Sequence, residues 1–276
     1  MIDAGSFLEL LGRTITTVLR NPGRHVQSVA DSSFDAWIKY YRQDENTPNA
    51  VVSYYAKGSL AALALDLKLR QHGSSLDALM RALWQLFGQT GIGVPEDGIP
   101  RLAGELAGGD VAEFFARYVD GTEQPPLAAL LATVGVTLNL RAADNAGDRG
   151  GGPGKRSGKN GAEDGAPASL GAAIAAVADA KLQHVYTGGP AERAGLAAGD
   201  VLIAIDGLRV PGSSVETMLE HRRAGETVTI HAFRRDELFT TELTLGAVPI
   251  DTCWLTQDAD VAAEAQARRT AWLGPD

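Results

Sequence analysis

The stretch from Pro48 to Gly73, PNAVVSYYAKGSLAALALDLKLRQHG, is apolar around most of the circumference of a helix and rich in Ala and Leu. Both residue types favour helix, and Gly73 falls where a helix would stop. A helix with so little polar face belongs in the middle of a bundle. Its one polar cluster, Ser53-Tyr54-Tyr55-Ala56-Lys57-Gly58, sits near the start. Two readings of the tyrosines stand open: amphipathic core residues with bonded hydroxyls, or a hydroxyl that points into a cleft and does chemistry.

The same patterning predicts helices on either side. Ser6 to Arg20 places Phe7, Leu10, Leu11, Ile15, Val18 and Leu19 near helical spacing, and Asn21-Pro22-Gly23 ends the run. Phe34, Trp37, Ile38, Tyr40 and Tyr41 fall in a short helix or loop. Ser74-Ser75-Leu76-Asp77 has the form of a capping signal and opens a helix to about Phe87. A turn-rich connection, Gly88 to Gly98, leads to short helices at 99–106, at 110–119 with Asp110 as N-cap, and at 127–131. Almost nothing before residue 133 alternates with period two, so the first domain, 1–132, is expected to be helical.

At Val134 the period changes. Val134, Val136, Leu138 and Leu140 alternate with small and polar residues as in a strand. Residues 142–169 then contain no Val, Ile, Leu, Met or aromatic side chain, which predicts a flexible Gly-rich loop. It reads either as a linker between domains or as an expanded loop within the second, and the lone strand before it favours the second. From Leu170 the pattern is strands with two short helices: a hairpin over Ala172–Ala178 and Leu182–Thr187, a helix at Pro190–Leu196, a buried strand at Asp200–Asp206, an amphipathic helix at Ser213–Arg223, and a closing hairpin over Thr227–Phe233 and Leu238–Leu245. The second domain is expected over 133–247. The tail, 248–276, carries Trp254, Leu255, Trp272 and Leu273, enough apolar area to dock on the body.

Composition narrows the classes. A chain of 276 residues allows roughly two domains. A net charge of -9 argues against a nucleic acid or an anionic membrane as partner, since both need a basic face. One cysteine, Cys253, rules out an internal disulfide and a cysteine-rich zinc site, and is expected to be a small buried side chain. No apolar run approaches membrane-spanning length and the first twenty residues lack the form of a signal peptide, so the chain is expected to be soluble, cytoplasmic or periplasmic. The abrupt helical lead-in after Met1 is read as a sign of a piece of something longer, whose start would carry any targeting signal.

Two segments then carry a resemblance. Thr187-Gly188-Gly189-Pro190-Ala191-Glu192-Arg193-Ala194-Gly195-Leu196, followed by Ala198-Gly199-Asp200-Val201-Leu202-Ile203-Ala204-Ile205-Asp206-Gly207, resembles a PDZ domain of the bacterial type. The resemblance implies a groove between the strand from Ala172 and the helix from Ser213, where a peptide or protein C-terminus adds as a strand and backbone N–H groups hold its carboxylate. It implies Ser169-Leu170-Gly171-Ala172 as the carboxylate loop, and Leu170, Gly171, Ala172, Ile174, Val215, Met218 and Leu219 as peptide-binding residues. A PDZ fold serving only as an internal spacer is the alternative.

In the first half, Ser33-Phe34-Asp35-Ala36-Trp37-Ile38-Lys39, Ser53-Tyr54-Tyr55-Ala56-Lys57-Gly58 and Phe115-Ala116-Arg117-Tyr118-Val119-Asp120-Gly121-Thr122 resemble successive landmarks of the glycyl aminopeptidase family, zinc exopeptidases of the gluzincin type with a PDZ domain near the C-terminus. The resemblance implies an α + β chain: the helical half of a thermolysin-like catalytic domain, then PDZ. Such enzymes need His-Glu-x-x-His with a further Glu on zinc. The histidines here, His25, His72, His184, His221 and His231, include no pair at that spacing and none followed by Glu. The expectation is therefore no metal in this chain, zinc in the full-length parent, and the N-terminal part of the same enzyme as a partner. The resemblance also places a tyrosine that donates to the oxyanion of the tetrahedral intermediate at Tyr55, within Tyr55-Ala56-Lys57-Gly58, with Tyr54 as secondary candidate. An adaptor that never had a zinc half is the competing reading.

Overall fold

The computed structural model describes residues 2–154, 167–175, 177, 179–211 and 215–274. It is an α + β chain with two hydrophobic cores. The first is helical: α1 (Ala4–Leu19), α2 (Val29–Phe34), α3 (Thr47–Ala50), α4 (Tyr54–Gln71), α5 (Leu76–Leu83), α6 (Gly98–Ala107), α7 (Ala112–Tyr118) and α8 (Leu127–Ala132). Helix α4 runs through the middle, burying Leu60, Ala61, Ala64, Leu65, Leu67 and Leu69. Its start differs from the Pro48 that periodicity suggests. Val51 and Val52 are extended, and Ser53 accepts a hydrogen bond from the Ala56 amide, so its hydroxyl starts the helix six residues later than apolar content does.

Strand β1 (Val136–Arg141) does not open the second core. It pairs antiparallel with Thr252–Gln257 of the tail, and Val134, Val136, Cys253 and Leu255 fill the helical core beside Leu8, Ile15 and Val18. Residues 142–154, expected within a flexible loop because they lack apolar side chains, are held by polar bonds and close backbone approach instead. The Asp148 carboxylate accepts from the Arg141 guanidinium and from the amides of Asp144 and Gly150, and that guanidinium holds it well below the usual carboxylate range. The Gly151 amide donates to the Cys253 carbonyl, and a Cβ on Gly150 (φ 75°) would lie 2.3 Å from Thr16 Oγ1. Glycine's lack of a side chain substitutes here for apolar burial. The remainder of that loop expectation, 155–166, lies outside the described residues.

The second core is a sheet. Strand β2 (Ala168–Ser169) leads into β3 (Ala172–Ile174) and β4 (Ala180–Val185), followed by α9 (Pro190–Arg193), β5 (Val201–Ile205), β6 (Leu208–Arg209), α10 (Val215–Leu219), β7 (Thr227–Arg234) and β8 (Glu237–Thr244). The order is β3-β4-β5-β7-β8, with β6 paired to β5. Strand β9 (Gly246–Ala247) returns beside β2 and hands the chain to β10 (Thr252–Gln257) and α11 (Ala263–Leu273). The tail thus docks on the helical core, with Trp272 edge-on to Phe7 at 5.7 Å. Burial raises the Cys253 thiol to about 12. Among the described residues no helix is long and apolar enough to cross a membrane.

Candidate functional site

The first turn of α4 carries the candidate tyrosines, and neither lies in the core: Tyr55 is 60% exposed and Tyr54 half-buried. Ser53 explains this. As N-cap it places Tyr54 and Tyr55 at the first two helical positions, at the end of α4, while Lys57 and Leu60 point inward. The two rings lean together at 4.1 Å between centroids. A second tyrosine pair, from the loop after α2, closes over them. Tyr40 meets Tyr54 edge-on at 5.4 Å, and its hydroxyl lies 3.3 Å from Ser53 Oγ. Tyr41 packs beside Trp37 at 5.2 Å and brings its hydroxyl within 3.1 Å of both the Tyr54 and Tyr55 hydroxyls.

The neighbouring phenols lower the Tyr55 phenol below its ordinary value, Tyr41 contributing first and Tyr54 second. Tyr54 moves the other way, raised first by its bond with Tyr41. Tyr41 escaped the sequence reading as a site residue. The signal available was the doubled motif, Tyr40-Tyr41 and Tyr54-Tyr55, two adjacent tyrosine pairs a short distance apart.

Beneath the tyrosines lies Lys57, 1% exposed. Its ammonium donates to the carbonyls of Arg24 (2.9 Å), Gln27 (3.1 Å) and Thr122 (3.4 Å). Burial, and then the nearby Arg24 charge, lower it to about 8. This one side chain ties the turn before α2 and the loop after α7 to the start of α4. Gly58 leaves ordinary contact distance for a Cβ, 3.5 Å from Val29, so it is not sterically required.

On the sheet unit, the expected peptide-binding residues divide in two. Leu170, Val215 and Leu219 are core side chains, 4%, 3% and 8% exposed. Ala172 and Ile174 on β3 and Met218 on α10 are half-buried. Strand β3 ends the sheet order and, among the described residues, pairs only with β4, leaving its other edge without a strand. Gly171 turns the chain into β3 with φ 70°, where a Cβ would lie 2.5 Å from Pro190 Cδ; its amide donates to Ser169 Oγ and its carbonyl accepts from Tyr186.

The two units meet along the far edge of β4. The Asn49 amide donates to the Val185 carbonyl at 2.8 Å and accepts from the Thr187 amide at 3.0 Å, as a neighbouring strand would. His184 Nδ1 lies 3.0 Å from the Glu45 carbonyl, a further contact between the units, and His231 Nδ1 lies 2.9 Å from Thr240 Oγ1 within the sheet. Among the described residues no three His, Cys, Asp or Glu side chains converge to hold a metal ion, so those present do not fit zinc.

Comparison with known proteins bears on both halves and supports a peptidase-related protein with a PDZ domain. Residues 1–61 match the M61 glycyl aminopeptidase family, and residues 184–226 match the PDZ domain. The chain is therefore similar to glycyl aminopeptidases over its first 61 residues. A solved aminopeptidase N family protein from Idiomarina loihiensis is 38% identical, with a TM-score of 0.83 over 99% of this chain and 45% of that one. The chain thus spans less than half the length of that relative. An HtrA-type protease with decapeptide (23% identical, TM-score 0.29, 30% of each chain) and a serine endoprotease from Yersinia pestis (21%, 0.27, 30% of each) share only a small region with this chain. No curated protein matches the chain.

Proposed function

We propose that this chain is the C-terminal part of a zinc-dependent aminopeptidase that removes small N-terminal residues, Gly or Ala, from peptides. In this reading Tyr55 supplies the hydroxyl that donates to the oxyanion formed on the scissile carbonyl. The observation that carries it is the placement of Tyr55: a phenol at the exposed start of a rigid, buried helix, inside Tyr55-Ala56-Lys57-Gly58 and not in the core. A donor held in place before the reaction stabilises charge that develops only in the transition state. Zinc would belong to the N-terminal part of the same enzyme, since these residues offer it no ligand set. The chain alone is expected to be inactive. Tyr55→Phe in the complete enzyme should lower turnover of a glycyl or alanyl substrate at saturation about 10²–10³-fold, some 2.7–4 kcal/mol of barrier. Unchanged turnover would remove Tyr55 from the mechanism.

The PDZ unit is proposed to bind peptides or protein C-termini. The open edge of β3, with Ala172, Ile174 and Met218 each half-buried against the same core, supports this role, whether the whole protein is an enzyme or a non-catalytic adaptor. Titration with peptides carrying a free or an amidated C-terminus tests it: tighter binding of the free carboxylate is expected, and indifference to amidation would count against carboxylate capture.

A further inference from the structure

Three phenol oxygens form a continuous line in this structure, with Tyr41 at its centre and Tyr54 and Tyr55 each 3.1 Å away. Sequence spacing does not bring them together, because Tyr41 comes from the loop after α2 and the other two from the first turn of α4. The rings hold the line in place: Tyr41 lies edge-on to Tyr40 at 5.3 Å, Tyr40 edge-on to Tyr54, and Tyr54 against Tyr55.

Counting protons decides what the line can do. Each phenol brings one O–H and can also accept. Two oxygen–oxygen contacts consume two of the three protons, so one O–H remains to meet something outside. Three arrangements exist. Both outer phenols donate to Tyr41, or the bonds run head to tail in one direction or the other. Head-to-tail chains are favoured because each donated bond polarises the next. Of the two directions, one leaves the unspent proton on half-buried Tyr54, the other on exposed Tyr55. Tyr55 is the more exposed of the two residues, so a proton left there reaches water or a ligand more readily.

We propose that Tyr41 is a positioning residue: it accepts from Tyr54 and donates to Tyr55, leaving the Tyr55 proton as the cluster's unspent donor, directed outward to an oxyanion. The role assigned to that proton rests on the aminopeptidase reading; the direction of the relay does not. The opposed shifts of the two outer phenols fit this direction, Tyr55 lowered as the acceptor and Tyr54 raised as the donor. The titratable groups that bear on Tyr55 are Tyr41 and Tyr54, with the ring of Tyr40 against it at 6.2 Å.

Phenolate absorbance titration of the full chain tests the relay without any turnover, and circular dichroism monitors folding throughout. Of the six tyrosines, one should ionise ahead of the rest, and Tyr55→Phe should remove that step. Tyr41→Phe should move it back toward the ordinary tyrosine range, further than Tyr54→Phe does. Tyr40→Phe, whose hydroxyl bonds Ser53 instead, should leave it in place. Should Tyr41→Phe fail to fold, Tyr54→Phe carries the test, because shortening the relay should move the early step part of the way back. A wild-type chain without an early step overturns the proposal, as does an early step that survives Tyr41→Phe or is unmoved by Tyr54→Phe. Loss of activity in Tyr55→Phe with no early titration would sink the relay alone; an intact relay with full activity in Tyr55→Phe would sink the catalytic reading alone.

Discussion

Each half of the molecule buries one charge completely, and the two are satisfied in opposite ways. Lys57 in the helical half and Asp200 in the PDZ half are both 1% exposed. Asp200 meets an opposite charge: it accepts from Arg234 Nε and Nη2 at 2.9 Å each and from the Ala197 amide at 2.8 Å. Every partner lies in the same unit, and Arg234 also bonds the Gly195 carbonyl, so the pair closes the turn that precedes β5. Lys57 is held instead by three main-chain carbonyls from segments distant in sequence. A buried ion paired with a counter-ion fixes its own neighbourhood. A buried ion held by carbonyls alone fixes the relation between segments, and here those segments support the tyrosine site. The second arrangement leaves the charge incompletely compensated, which is why burial lowers Lys57 to about 8.

The contrast is open to breaking. Lys57→Met should cost the most, roughly 2–4 kcal/mol, because orphaned buried carbonyls cost about 1–3 kcal/mol each and Gln124 still reaches two of the three. Denaturant unfolding measures the loss, and the early phenolate step should blur as the start of α4 loosens. Asp200→Asn should cost about 1.5–3 kcal/mol, the scale of hydrogen bonds to charged groups, without touching the tyrosine titration. A tyrosine titration that moves in Asp200→Asn and stays still in Lys57→Met would invert the comparison. Asn49→Ala, which removes two of the bonds joining the units, should cost about 1 kcal/mol and raise hydrogen exchange at Thr187.

The pH dependence of stability sharpens the contrast further. Folded Lys57 loses its proton at about 8, against 10.5 for an ordinary lysine. Between those values the unfolded chain binds the additional proton, so this group makes stability rise with pH across that window. The slope should flatten in Lys57→Met and persist in Asp200→Asn. A wild-type chain equally stable at both ends of the window would show that the ammonium is better solvated than its burial indicates.

How much of this was legible in the sequence depended on how local its causes are. Helix α4, the capping serine of α5 and the PDZ signature are written in contiguous residues, and each appears where those residues stand. The start of α4 was misjudged because a single hydroxyl, that of Ser53, outweighs the five residues before it, Pro48 to Val52. The pairing of Val136–Arg141 with Thr252–Gln257 spans more than a hundred residues, and alternation alone carries no information about a partner so distant. Tyr55 was singled out through its motif. Tyr41 needed the fold, since nothing about an isolated loop tyrosine says which hydroxyl it will face. Lys57 was visible as a letter in the same motif, but its three carbonyl partners were not, because main-chain acceptors leave no trace in residue identity.

The return of the tail to the helical core has an architectural consequence. Because β1 pairs with β10, the helical unit is assembled from chain on both sides of the PDZ unit, and β2 and β9 enter and leave that unit as one hydrogen-bonded pair, Ala168 opposite Ala247. The PDZ unit is therefore a domain insertion with its two ends a strand's width apart. Such a module can be excised and the gap bridged by a few residues, leaving a host whose core still includes Cys253 and Leu255. A bridged chain that melts cooperatively would show that the host folds by itself, and that the inserted module can be exchanged without rebuilding the tyrosine site.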